Sequence, residues 1–138
     1  MKCLVLGGGG FIGSHVCDQL IEAGHEVKVF ELSGRNKVNI QHLEKKIQWE
    51  EGDFQNVRDL ERMADGIDVI FHLISTTLPK SSNENPAYDV LSNVVPTIRF
   101  LDAAVAAGVK KVIFFSSGGT VYGIPRETPI PEDHPTEP

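Results

Sequence analysis

The run CLVLGGGGFIGSH, residues 3–15, constrains this chain more than any other stretch. Four consecutive glycines stand between a short apolar run and an amphipathic one. Glycine costs roughly 0.5–1 kcal/mol against alanine inside a regular element, so a row of four needs a reason. The apolar run fits a buried strand. Residues 12–23 then place Ile12, Val16 and Leu20 on one helical stripe, with Gly24 as the C-terminal cap. A strand that passes into a helix through bare backbone is the opening unit of a parallel α/β sheet. Such sheets bind ligands in the crevice beside that turn.

The rest of the chain repeats the unit. Apolar, β-branched runs recur at 2–6, 26–31, 46–51, 68–73 and 110–115. Between them, residues 57–64 carry Val57, Leu60 and Met63 after a capping Asn56 and before Gly66. The longest helix opens at Asn85-Pro86 and runs through Val90, Val94, Ile98, Leu101 and Val105 to Gly108. A kink is expected at Pro96, and residues 34–45 read as loop with one short helical turn. This alternation predicts an α/β fold, a Rossmann-type doubly wound parallel sheet of five strands. Its order should be 3-2-1-4-5, with helices on both faces. Residues 1–123 form the expected domain. Residues 124–138, rich in proline and without periodicity, read as extended loop.

With 138 residues, 41% hydrophobic, the chain is one soluble domain's worth. A net charge of −6 argues against a nucleic-acid surface, which needs a basic face. It leaves room for a nucleotide, because backbone amides hold phosphate without lysine. Cys3 and Cys17 sit in apolar settings and read as reduced thiols of a cytoplasmic protein. No run is long enough for a membrane span or a signal peptide, and no metal site is expected.

Two glycine fingerprints fit the loop. Gly8, Gly10 and Gly13 satisfy G-x-G-x-x-G, while Gly7, Gly10 and Gly13 satisfy G-x-x-G-x-x-G. In either, an early glycine makes the tight turn, Gly10 admits a pyrophosphate, and Gly13 lets helix and strand pack closely. The amides of Phe11 and Ile12 would face the phosphates at the positive end of the helix. A P-loop is excluded, because Ser14 and His15 stand where that motif needs lysine and Ser or Thr. The plain alternative is a glycine-rich turn without a ligand. Glu31, eighteen residues after Gly13 at the end of the second strand, speaks for the ligand. A carboxylate there hydrogen-bonds an adenosine ribose and repels a 2′-phosphate, favouring NAD over NADP. Arg35 keeps NADP as the minority option.

Further motifs follow in order: EEGDF at 50–54, VIFHLIS at 69–75, YDVLSNVVPTIRFLDAA at 88–104 and VIFFSSGGTVYG at 112–123. Together with the glycine loop, and over nearly the whole chain, they resemble the extended short-chain dehydrogenase/reductases, in particular the NAD-dependent epimerases and dehydratases of nucleotide sugars. The resemblance implies that Asp53 contacts adenine and that the Phe54 backbone lines its pocket. It implies that Leu73, Ile74 and Ser75 form the wall beside ribose and nicotinamide, braced by Asn93, and that Ser116 joins the cofactor set. Asp53 as a turn former and Asn93 as a surface polar residue are the simpler readings.

Two departures stand out. Pro96 replaces the family's usual glycine, and Gly118 stands where the family places the Ser or Thr that bonds the reacting sugar hydroxyl. Ser117 or Thr120 would have to supply that hydroxyl, although both residue types also bond locally in turns. The family's base, a tyrosine with lysine four residues later, is absent: Tyr122 is followed by Arg126 and Tyr88 by Ser92. The expectation is therefore the NAD-binding N-terminal portion of a nucleotide-sugar epimerase/dehydratase, inactive alone, whose parent passes hydride transiently between sugar and nicotinamide. It is expected to form a homodimer through the helix at 86–107 or the last strand. The other reading is a non-catalytic dinucleotide-binding redox sensor.

Overall fold

The structure, a computed structural model, describes residues 1–137. Five parallel strands form one sheet: β1 (Lys2–Leu6), β2 (Glu26–Leu32), β3 (Ile47–Gly52), β4 (Val69–His72) and β5 (Lys111–Phe114). Their order is β3-β2-β1-β4-β5, as the alternation predicts. β1 lies at the centre, with Cys3 beside Val27 on one side and Val69 on the other. Helices cover both faces, so Cys3, Leu4, Val5 and Leu6 are all buried, and the strand reads as a continuous apolar run rather than an alternating one.

Two cores result. On one face Leu4, Leu6, Phe30 and Ile70 pack with Leu60 and Met63 of α2 (Val57–Ala64) and with Phe100 and Ala104 of α5 (Val95–Ala106). On the other, Val5, Val27 and Val29 meet Cys17 of α1 (Phe11–Glu22), with Leu43 of a single 3₁₀ turn at Gln41–Leu43 and Ile40 just before it. That turn is the short helical turn expected within 34–45.

The helix termini follow their sequence signals. Asn56 accepts the Arg58 N–H at 3.0 Å, and Asn85 accepts the Tyr88 N–H at 3.0 Å. Gly24, Gly66 and Gly108 end their helices with φ between +67° and +76°. Two short helices carry no apolar period and escape sequence reading. α3 (Pro79–Glu84) buries no residue, and neither does α6 (Gly118–Val121).

Two features mark the long helix. From α4 (Pro86–Asp89) it widens into a π-helical turn at Val90–Val94 before α5 continues. Pro96 explains the widening: it lacks the N–H that would bond the Ser92 carbonyl, and its ring crowds that carbonyl. The apolar stripe also faces outward. Val90, Val94, Ile98, Leu101 and Val105 are exposed, whereas Ser92, Pro96, Phe100 and Ala104 are buried. Ile12 of α1 is likewise exposed, at the mouth of the crevice.

Residues 124–137 contain turns but no regular element. Buried His134 anchors them: its Nε2 accepts the Arg126 N–H, its Nδ1 donates to the Pro135 carbonyl, and its ring meets Tyr122 edge-on.

Candidate functional site

The glycine run makes the turn between β1 and α1 at the carboxyl edge of the sheet. Gly7 takes φ +81°, a conformation open to glycine at little cost, and its carbonyl accepts the Gly10 N–H at 3.1 Å. The tight turn thus falls on Gly7, which selects the Gly7, Gly10, Gly13 spacing. Gly13 sits directly over this turn: a β-carbon there would lie 2.2 Å from the Gly7 carbonyl oxygen. No side chain caps α1, and its first turn carries no acidic residue. The first amides of α1, on Phe11, Ile12 and Gly13, point from the helix's positive end with no side-chain acceptor among the described residues.

Glu31 lies at the end of β2, nearly buried, and Oε1 accepts the Gly9 N–H at 2.8 Å. Asn39 grips the same glycine from the other side, donating to its carbonyl at 3.1 Å. One carboxylate oxygen is therefore committed to the loop, which fixes the direction of the other. Trp49 stands behind Gly9, donates to Glu51 at 3.0 Å and carries Lys37 over its ring. These ties hold residues 34–39 along one wall of the crevice. Beneath the loop, the Cys17 thiol is buried against Gly8, and burial pushes its pKa up to about 12.

The crevice has two halves that share Gly7, Gly10, Leu73, Ile74 and Ser75. The first, about 580 Å³, is lined by Glu31, Arg35, Asn39, Asp53 and Phe54. Asp53 opens the turn before α2, where its carboxylate accepts the Gln55 N–H at 2.9 Å. The Phe54 side chain belongs to the core, so this residue meets the crevice chiefly through its backbone. The second half, about 900 Å³, is lined by Phe11, Ile12, Gly13, Asn93, Ser116, Ser117 and Thr120. Ser117 and Thr120 both face it, and the Thr120 hydroxyl donates to the Ser117 carbonyl at 3.2 Å.

Asn93 reaches across from the π turn. Its Oδ1 accepts the Thr76 N–H at 2.9 Å, tying the helix to the segment after β4. The structure adds residues that sequence reading missed. The Thr76 hydroxyl meets buried Ser92 at 2.7 Å, and Asp89 accepts from Thr77 and from Asn93. Thr97 donates to the Asn93 carbonyl at 2.7 Å and pairs with Nε2 of buried His72 at 3.2 Å. Among the described residues Nδ1 of His72 has no partner, and burial lowers its pKa below the ordinary 6.5. These polar residues lie on two separate segments, so only their meeting in space reveals the cluster.

Comparison with known proteins agrees with this geometry. Residues 3–138 match the NAD dependent epimerase/dehydratase family. The UDP-glucose 4-epimerase of Mycolicibacterium smegmatis is 39% identical over 142 residues, covering 100% of this chain and 45% of that protein. A UDP-glucose 4-epimerase sequence from Klebsiella pneumoniae is 34% identical, covering 96% of this chain and 99% of its own length. Among solved structures, Thermotoga maritima UDP-glucose 4-epimerase with UDP-glucose superimposes with a TM-score of 0.84 at 35% identity. The Thermus thermophilus enzyme in complex with NAD gives 0.84 at 30% identity. Each covers 100% of this chain, which spans 45% of either solved chain. With the sheet order, the glycine turn and the family match all in accord, the chain belongs to the NAD-dependent epimerase/dehydratase family.

Proposed function

We propose that this chain is the NAD-binding part of a nucleotide-sugar epimerase or dehydratase. The observation that carries the reading is the uncapped N-terminus of α1, set over the Gly7 turn beside Glu31. The residues present fit the cofactor. Phe11 and Ile12 would bond the pyrophosphate through their amides, next to the bare backbone of Gly7, Gly10 and Gly13. The free oxygen of Glu31 would hold the adenosine ribose. Asp53 and the Phe54 backbone would border adenine. Leu73, Ile74 and Ser75, braced by Asn93 and faced by Ser116, would flank the nicotinamide. The nicotinamide supplies a reversible hydride acceptor, which is the chemistry an epimerase or dehydratase needs. Ser117 or Thr120 would present a hydroxyl to the sugar; in Thr120 the proton is already donated locally, leaving its oxygen to accept.

The sugar nucleotide as substrate is carried over from the relatives. A homodimer would cover the outward apolar stripe of α5, and two buried thiols suit a cytoplasmic setting. The test is calorimetric titration of the chain with NADH and NADPH. NADH should bind more tightly; failure to bind either at millimolar concentration refutes the reading.

A further inference from the structure

The segment after β4 is held by side-chain bonds that converge on one carboxylate. Asp89, half-buried at the end of α4, accepts through a single oxygen, Oδ1, both the Thr77 hydroxyl and the Asn93 Nδ2–H, the latter at 2.9 Å. Nδ2 of Asn93 also donates to Thr77 Oγ1 at 3.0 Å. An asparagine amide fits its site in two orientations unless its partners differ in kind. Here acceptors face one end and the Thr76 N–H and hydroxyl face the other, at 2.9 and 3.0 Å. Hydrogen bonds from Thr77, Ser82 and Asn93 hold the Asp89 carboxyl below its usual range, so it is an acceptor only. Asp89 lines the second half of the crevice and is absent from the first half's lining.

We propose that Asp89 is a positioning residue of the cofactor crevice. By receiving the Asn93 amide and the Thr77 hydroxyl on one oxygen, it turns Asn93 Oδ1 toward Thr76 and fixes the Ser75–Thr77 backbone where the two halves of the crevice meet. The assignment rests on the cofactor reading above.

The test compares binding of NADH, which would fill both halves, with AMP, which would fill the first alone. Asp89→Ala should weaken NADH about tenfold, the worth of one hydrogen bond to a charged group, and AMP by a smaller factor, since the first half meets this segment only at Ser75 and Thr76. Asp89→Asn retains an oxygen at the accepting position but not the charge, so it should recover part of the lost NADH affinity. Thr77→Val removes the donor to Asp89 and the acceptor of Asn93 Nδ2 without touching the helix, keeps the Asp89–Asn93 bond, and should weaken NADH by a smaller factor. It also decides the matter should Asp89→Ala lose its native circular dichroism. Unchanged NADH binding in Asp89→Ala and Thr77→Val overturns the assignment while leaving the cofactor reading intact. Equal loss of AMP and NADH, or no recovery in Asp89→Asn, also overturns it. A wild-type chain that binds neither ligand overturns both.

Discussion

At Gly13 there is no room for one more carbon, because the nearest atom is a backbone carbonyl oxygen of the tight turn. Gly13→Ala must therefore push α1 off the sheet. Overpacking of this kind costs about 3 kcal/mol, which lowers the melting temperature by about 10 °C in a domain of this size. A melt within 2 °C of wild type, by the roughly linear scaling of Tm with stability, would contradict the close packing. Glu31 invites a different experiment. Glu31→Ala removes both the Gly9 tie and the charge facing a 2′-phosphate, so the preference for NADH over NADPH should shrink, read by calorimetry. His72 predicts a pH dependence. Its folded pKa is depressed, so between the folded value and the ordinary 6.5 the unfolded chain binds more protons. Stability is then complete above about pH 6.5 and falls as the pH drops below it. Thermal melts from pH 7.5 to 5 should show this decline, and His72→Leu should flatten it.

The elements were legible where burial and periodicity agree. The strands are unbroken apolar runs because both faces of the sheet are covered, and the caps at Asn56 and Asn85 work through local bonds that neighbours in sequence supply. The long helix shows where such reading stops. Its apolar stripe is real but faces outward, while the buried side carries Ser92 and Pro96, residues whose composition does not announce burial. The polar cluster of Thr76, Thr77, Asp89 and Asn93 was equally hidden, since Asp89 and Asn93 stand in one motif while Thr76 and Thr77 come from the segment after β4. α3 and α6 bury nothing and so leave no period to read. The outward stripe carries its own prediction. Ile98→Lys should disrupt self-association in sedimentation at high concentration. It should leave monomer stability within about 0.5 kcal/mol, as expected for an exposed site. A wild-type chain that stays monomeric throughout would contradict this.

For the molecule as a whole, the expected behaviour is cofactor binding without turnover. Abstracting a proton from a sugar hydroxyl needs a base within hydrogen-bond reach, a contribution of about 10²–10⁴ in rate. No Tyr-x-x-x-Lys occurs in the chain, and Tyr122 is engaged edge-on with His134. Incubation with NAD and UDP-, GDP- or dTDP-sugars should give neither reduced nicotinamide nor altered sugar. Turnover abolished by Tyr122→Phe would make Tyr122 the base. The two thiols offer a last consequence. Cys3 lies in the central strand and Cys17 beneath the glycine loop, both buried and both with raised pKa. A thiolate reagent can reach either only when the surrounding structure opens, so the rate at which each is modified is a clock for that opening. With one sulfur in the sheet and one under the loop, the unaltered chain carries two separate clocks. Ligand held by the loop should slow the second at least as much as the first.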